Sequence, residues 1–221
     1  MDLNEKIKKS KEILEEAMDR FSNKLVLAWT GGKDSTTTLH LLREVYGGKV
    51  PIPVFNIDTS VKFPEIYEFR DRLAKEWGLN LIIERNEEAI KKIKIADNIE
   101  ECCLQLKTEV ITGAIIKYGW EALIIGLRCD EQPDRDRETC FSHRDTPPHF
   151  RIHPILHFTE MDIWQYIKEY DVPYCSLYSQ GYRSLGCAPC TRIGTQQGGE
   201  RDGRDPRKEI IMSRLRAMGY I

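Results

Sequence analysis

The chain has 221 residues, 41% of them hydrophobic, and a formal net charge of −2 at pH 7. That length supports one sizeable core and excludes two full-sized domains, and the charge balance gives no global pull toward nucleic acid or membrane. No apolar run approaches the roughly 20 residues of a membrane span, and the charged start MDLNEKIKK has no signal-peptide core. A cytoplasmic protein is expected, whose seven cysteines act as reactive thiols or metal ligands rather than as structural disulfides.

Leu3, Ile7, Leu14, Met18 and Phe21 recur at helical spacing and predict an amphipathic first helix. Residues 25–29, LVLAW, predict a short buried strand, residues 30–34 a glycine-containing turn, and residues 35–43 an amphipathic helix. Strands follow at 51–57, 79–83 and 122–125. Between them come a helix over 63–77, with Ile66, Phe69, Leu73 and Trp77 apolar, and one over 100–118, with Leu104, Val110, Ile111 and Ile115 apolar. Strands alternating with helices predict an α/β fold: a mostly parallel sheet covered by helices on both faces.

From Cys129 the character changes. Residues 130–138, DEQPDRDRE, read equally well as a solvated loop or as an arginine-bearing lid over an anionic substrate. Residues 151–156 predict a short strand, and Thr159 is the N-cap of a helix with an acidic first turn. Residues 172–191 form a loop rich in Tyr, Gly and Cys, and 206–218 a terminal helix with Pro at its start. The expected organisation is one domain over 1–221: a nucleotide-binding core of about 1–128 and a loop-and-helix appendage of about 129–221.

Three predicted strand ends fall on one rim: Thr30, Gly31, Gly32 and Lys33 after the first strand, Asp58 and Thr59 after the second, and Gly126 with Arg128 after the fourth. Open parallel sheets bind ligands at that rim. A strand turning through glycines into a helix N-terminus presents free N–H groups and the positive end of the helix dipole to an anion. Lys33 adds a full charge and Ser35 a hydroxyl. Asp34 follows the lysine, so this is not a P-loop of the G-x-x-x-x-G-K-[ST] kind. The hexapeptide TGGKDS at 30–35 resembles instead the SGGKDS pyrophosphate motif of PP-loop enzymes, with Thr for Ser at its first position.

The cysteines form two pairs, Cys102-Cys103 and Cys187-Ala-Pro-Cys190. Four thiolates from two distant places can serve one metal centre, and C-x-x-C beside a proline is ordinary ligand spacing. Adjacent residues on a helix diverge by roughly 100°, which suits separate corners of a cubane better than one tetrahedral zinc. Small buried core residues are the bland alternative for Cys102 and Cys103. Cys129, Cys140 and Cys175 have no partner spacing.

Nearly the whole chain resembles the phosphoadenosine phosphosulfate reductase superfamily, which includes APS and PAPS reductases and the small subunit of sulfate adenylyltransferase. DTSVKFPEIY at 58–67 is similar to its DTGxxFPETY segment and GLRCDE at 126–131 to its GLRRDE segment. LYSQGYRSLGCAPCT at 177–191 is similar to its LYxxGYxSIGCxPCT signature. The resemblance implies an adenine nucleotide alpha hydrolase-like (PP-loop) fold. It also implies that Cys102, Cys103, Cys187 and Cys190 ligate a 4Fe-4S cluster, and that Lys107 lies between cluster and substrate. Leu106 replaces an arginine usual beside that lysine. ERDGR at 200–204 is similar to an ExEGR stretch of the same enzymes.

The reductases carry their nucleophilic thiol in a C-terminal ECGLH segment, and here no cysteine follows Cys190. Lys62-Phe63, residues 67–72, RETCFSHRD at 137–145 and the GYI ending resemble the adenylyltransferase small subunit, which lacks the CC/CxxC set. The sequence is a hybrid of the two patterns. The expected function is an enzyme that binds ATP, APS or PAPS and works in sulfur activation or transfer, cleaving ATP to AMP and pyrophosphate beside the cluster. Thr30, Gly31, Gly32, Lys33, Asp34 and Ser35 would hold phosphates, Arg128 and Arg144 would clamp phosphate or sulfate oxygens, and Mg²⁺ would neutralise the leaving pyrophosphate. Lys33, Ser35, Lys107 and Arg128 are the expected catalytic groups. The implied partners are the adenine nucleotide, a sulfur donor protein, a tRNA or DNA acceptor, and a second copy of the chain. One alternative is a reductase whose thiol is Cys140, Cys175 or another chain's; another is an adenylyltransferase-type subunit that depends on a GTPase.

Overall fold

The computed structural model describes residues 1–132, 135, 138–195 and 197–220. Strand β1 (Leu25–Ala28) is buried along its whole length. Its side chains alternate between two cores, Leu25 and Leu27 joining one and Val26 the other, as the two-residue period of a strand demands. Parallel strands β2 (Val54–Ile57) and β4 (Ala122–Ile125) flank it, with Leu27 opposite Val54 and Val26 opposite Leu123. β3 (Leu81–Glu84) extends the β2 side and β6 (Pro148–Ile152) the β4 side, both parallel. β5 (Phe141–Asp145) pairs antiparallel with β6 at the edge, so the six strands run β3-β2-β1-β4-β6-β5.

Helices cover both faces. α1 (Leu3–Phe21) opens on a capping box, in which the Glu5 N–H donates to Asp2 and the Asp2 N–H to Glu5, each at 2.9 Å. With α2 (Lys33–Val45), α3 (Pro64–Glu76) and α7 (Glu160–Glu169) it packs on the Leu25 and Leu27 face. On the other face α6 (Glu109–Tyr118) sets Val110, Ile111 and Ile115 against Val26, Phe55 and Leu123. The mostly parallel, doubly covered α/β sheet expected from the sequence is the one found. Among the described residues no helix is long and apolar enough to cross a membrane.

Four details depart from the expectation. The helix predicted over 100–118 is broken: α5 (Ile99–Cys103) passes into a π-helical turn, Leu104–Thr108, before α6 begins. A six-residue helix, α4 (Glu87–Lys92), capped by Asn86, is too short to leave a periodic signal. The strand predicted over 151–156 is β6, shifted toward the N-terminus and paired with β5, because FSHRDTPPHF has neither an apolar run nor clean alternation. The terminal helix divides into α8 (Pro206–Ile210) and α9 (Met212–Ala217). Within the charged segment 130–138, residues 133, 134, 136 and 137 lie outside the described residues; the lid reading of that segment and Arg137 of the RETCFSHRD stretch fall there, and Ile221 of the GYI ending is outside them too.

The chain leaves β1 for β2 on one side and returns to β4 on the other, which opens a crevice beyond the C-terminal ends of β1 and β4. Gly126, just past β4, makes the crevice floor. A Cβ there would lie 2.8 Å from the carbonyl carbon and oxygen of Asp34 and from Cα of Ser35. Only a glycine lets that strand end meet the start of α2. Gly126→Ala is expected to lose about 1–3 kcal/mol of stability, the usual cost of overpacking, measured by denaturant unfolding; an unchanged midpoint would mean that the backbone yields without cost.

Candidate functional site

The turn after β1 is shaped by its own polar groups. Gly31 sits at φ 82, a left-handed conformation that glycine adopts without strain. The hydroxyls of Thr30 and Ser35 are 3.0 Å apart, and Ser35 donates to the Gly32 carbonyl at 3.0 Å. Trp29 Nε1 donates to Thr36 at 3.0 Å, and Asn56 Nδ2 to the Trp29 carbonyl at 2.6 Å. Strand β1, its turn and the first residues of α2 are thus held together from both sides.

The expectation of open N–H groups and a free ammonium is met only in part. The Lys33 N–H donates to the Tyr178 hydroxyl at 2.9 Å. Lys33 Nζ donates to Asp34 and to the Arg183 carbonyl, both at 3.2 Å, and pairs closely with Glu200. Arg128, fully buried, donates Nε to Asp34 at 2.6 Å and pairs with Asp130 and Glu200. Burial alone would favour the neutral lysine, but Asp34, Tyr178 and Glu200 hold Lys33 well above the ordinary lysine range. Arg128 is likewise kept charged against burial by Asp34, Glu200 and Asp130. Two cations therefore meet three carboxylates behind the loop.

In front of it lies a cavity of about 890 Å³, the size of a small-molecule site. Thr30, Gly32, Lys33, Asp34, Ser35, Thr59 and Gly126 all line it, as do Lys107 and Arg144. These residues, expected from three strand ends and, for Lys107, from the family resemblance, are brought together. Trp29, Phe55, Ile57 and Leu127 give one end an apolar wall. Gly31, Asp58 and Arg128 are not on its surface. Asp58 accepts from the Ser60 N–H at 2.7 Å and from the Tyr67 hydroxyl at 2.9 Å, which commits it to the turn after β2. Arg144 is held by Glu138 at 2.5 Å.

The other end is basic. Lys62, Lys107, Arg151 and Arg204 line it, with Tyr220 among them, and Lys208 lies buried behind. Among the described residues none of these five cations has a carboxylate within ion-pair reach, and Nε of Arg151 and of Arg204 has no protein partner. Burial pushes Lys62 down to about 8, and Arg151 down to about 10. Burial raises the Tyr220 phenol, yet Lys107 and Lys208 bring it down to about 8. Tyr178, Lys208, Arg151, Tyr220 and Glu200 carry no role expected from the sequence, although Tyr178, Glu200 and Tyr220 stand inside the LYSQGYRSLGCAPCT, ERDGR and GYI stretches.

Beside this basic end, Cys102, Cys103, Cys187 and Cys190 surround one small cavity of about 10 Å³ together with Lys107 and Lys208. The divergence expected of adjacent thiols is present: Cys102 packs with Ala89 and Leu106, Cys103 with Ile99, Met212 and Leu215. The loop carrying Cys187 is fixed to the loop after β2, the Ala188 N–H donating to the Val61 carbonyl at 2.8 Å. Cys187 Sγ lies 3.4 Å from the Thr59 hydroxyl. Burial opposes its thiolate, but Lys107, Thr59, Lys208 and Lys62 bring the thiol down to about 7. Among the described residues no closed metal-binding group of three or more Cys, His, Asp or Glu is formed. The donor set still fits an anionic metal–thiolate centre, since four thiols face two cations that no carboxylate among the described residues pairs. A space this small holds one water, so seating a cubane requires the thiols to move apart. Cys140 and Cys175 line neither cavity, and Cys175 is completely buried.

Fold and loop together define an α/β protein of the PP-loop type. Residues 24–193 match the phosphoadenosine phosphosulfate reductase domain, and the chain belongs to that family. Sulfate adenylyltransferase subunit 2 of Shigella dysenteriae is 34% identical over 200 residues, 78% of this chain and 66% of that one. The protein of the same name from Shewanella loihica is 32% identical over 194 residues, 76% of this chain and 64% of that one. The chain thus spans just under two thirds of the length of these curated relatives. Among solved structures, phosphoadenylyl-sulfate reductase from Candida auris shares the fold with TM-score 0.71 at 21% identity, over 85% of this chain and 94% of that one. FMN adenylyltransferase from Candida glabrata, solved with ATP, also gives 0.71 at 21% identity, over 89% of this chain and 66% of that one.

One carboxylate on the cavity wall carries a pH prediction. His153 Nε2 lies 3.5 Å from Glu138. That imidazole, with Arg144 and Ser142, holds the Glu138 carboxyl far below its usual range although burial acts the other way. A depressed folded value stabilises the protein above the ordinary glutamate range, about 4.3, and the benefit is lost as pH falls through the folded value. Glu138→Gln should lower the melting temperature at pH 7 and close the gap to wild type on acidification. An equal gap at both pH values would point to lost packing instead.

Proposed function

We propose that the protein binds ATP, or a related adenylyl nucleotide, and uses it in sulfur activation. The observation that carries this reading is one continuous cavity lined by the TGGKDS turn, by an apolar wall and by a cluster of cations that have no carboxylate partner among the described residues. The turn suits a pyrophosphate group, the apolar wall an adenine, and the basic end a second anion. Ser35, the amides of the turn and Lys33, once released from Glu200, would stabilise charge developing as the α–β phosphate bond breaks, usually the largest catalytic contribution. The carboxylates at the turn all serve Lys33 or Arg128, so Mg²⁺ would enter with the nucleotide as part of the substrate.

Cys102, Cys103, Cys187 and Cys190 would hold a 4Fe-4S cluster, and Lys107 would stand between it and the basic end of the cavity. Such a cluster supplies electrostatic tuning of the site or sulfur handling. The name of the curated relatives supports sulfate as the second substrate over a tRNA or DNA acceptor, and a companion subunit over a sulfur donor protein. The reductase alternative with Cys140 or Cys175 as nucleophile loses support from their positions off the cavity.

Lys33→Ala should reduce ATP–pyrophosphate exchange by roughly 10²–10³-fold, the scale of removing one preorganised donor; full activity would exclude the lysine from the site. Iron and acid-labile sulfide analysis of anaerobically purified protein tests the thiol centre. Four irons per chain, lost in Cys187→Ser, is the expected result. A single zinc, or no metal, would move the reading to a cluster-free adenylyltransferase subunit.

A further inference from the structure

The partition between the two cavities is built around one oxygen atom. Tyr220 lines the large cavity, Lys208 the small thiol-lined one, and Lys107 both. The Lys107 ammonium donates to the Tyr220 hydroxyl at 3.2 Å, and the Lys208 ammonium donates to the same oxygen. Both ammoniums also lie over the tyrosine ring, 5.3 and 4.5 Å from its centroid. A phenol oxygen has two lone pairs and one hydrogen. With two donors already on it, the hydrogen is the polar contact left over, and among the described residues no acceptor takes it. Two ammoniums on a neutral hydroxyl also polarise its O–H bond and strengthen it as a donor.

The backbone at this point is fixed by a second buried cation. Arg151, on β6, donates Nη2 to the Gly219 carbonyl at 2.6 Å and Nη1 to the Tyr220 carbonyl at 3.2 Å. A guanidinium with no carboxylate partner among the described residues thus grips two main-chain oxygens, and by doing so sets where the phenol stands. The segment before it, Met212 to Ala217, also contributes to the cavity wall.

We propose that Tyr220 is a ligand-binding residue, whose hydroxyl donates a hydrogen bond to a tetrahedral oxyanion held at the basic end of the cavity, with Arg151 as its positioning residue. This rests on the reading of the cavity as a site for a nucleotide and an oxyanion together. Tyr220 replaces nothing in the thiol chemistry; it orients an oxygen of the anion while Lys62, Lys107 and Arg204 offset its charge.

Isothermal titration of the full chain with inorganic sulfate, and separately with ATP, tests the assignment. Tyr220→Phe keeps the ring over both lysines and removes only the hydroxyl. Its sulfate dissociation constant should rise by about tenfold or more, the scale of one charge-assisted hydrogen bond, while ATP binding stays within about twofold of wild type. Arg151→Lys keeps the charge but loses the two-carbonyl grip, and should show the same selective loss; it carries the test if Tyr220→Phe folds poorly. Unchanged sulfate binding in either folded variant, or equal loss of sulfate and ATP, overturns the proposal. Wild-type protein that binds ATP but not sulfate overturns it while leaving the nucleotide reading intact, whereas wild type that binds neither overturns both.

Discussion

Buried charge has to be compensated, and at the β1–α2 junction that requirement organises the molecule. Lys33 and Arg128 are almost entirely withdrawn from water, and leaving such a group unpaired costs about 3–5 kcal/mol. Their partners come from three places in the chain: Asp34 from the first turn of α2, Asp130 from just after β4, and Glu200 from the loop before α8. One network therefore ties the central strand, the far side of the switch point and the C-terminal third of the chain. It also explains why the loop's lysine is not simply waiting in the cavity. An incoming polyphosphate competes with Glu200, the one partner of both cations that is not anchored in a helix or beside a strand end.

A second set of charges behaves in the opposite way. Lys62, Lys107, Lys208, Arg151 and Arg204 converge near Cys187 and Tyr220 with no carboxylate among the described residues to pair them. Such a grouping disfavours the empty site and favours whatever anion fills it. The two ends of the cavity are thus in contrasting states, one internally neutralised and the other open to neutralisation. Lys107 and Tyr220 stand between cavity and thiols, and the phenol oxygen accepts from both Lys107 and Lys208.

Much of the fold is legible in the sequence. Short apolar runs at 25–29 and 122–125 announce strands buried on both faces, and the glycines of TGGKDS announce the turn from β1 into α2. The convergence of Thr30, Thr59 and Gly126 on one cavity followed from strand order, and the place of Lys107 from the family resemblance. The hairpin of β5 and β6 was not legible as such, since its polar and proline-rich sequence becomes a strand pair only through the edge that β4 offers. Nor were the partners of Lys33: an ion pair between residues 33 and 200 leaves no periodic mark. Nothing in the sequence marks Arg151 and Lys208 for the burial that the fold gives them. Tyr220, beside the chain's end, gains its place only from Arg151 and the two lysines.

The π-helical turn at Leu104–Thr108 has a consequence of its own. Such a turn accommodates one residue more than an α-helical turn does, so the helix on either side is rotated by roughly 100° relative to an uninterrupted one. The thiol pair at the end of α5 and the apolar stripe of α6 are therefore set independently, like two cogs keyed to one shaft at different angles. Remove a single residue there and the stripe or the thiols must lose their seat, since one straight helix has no way to serve both.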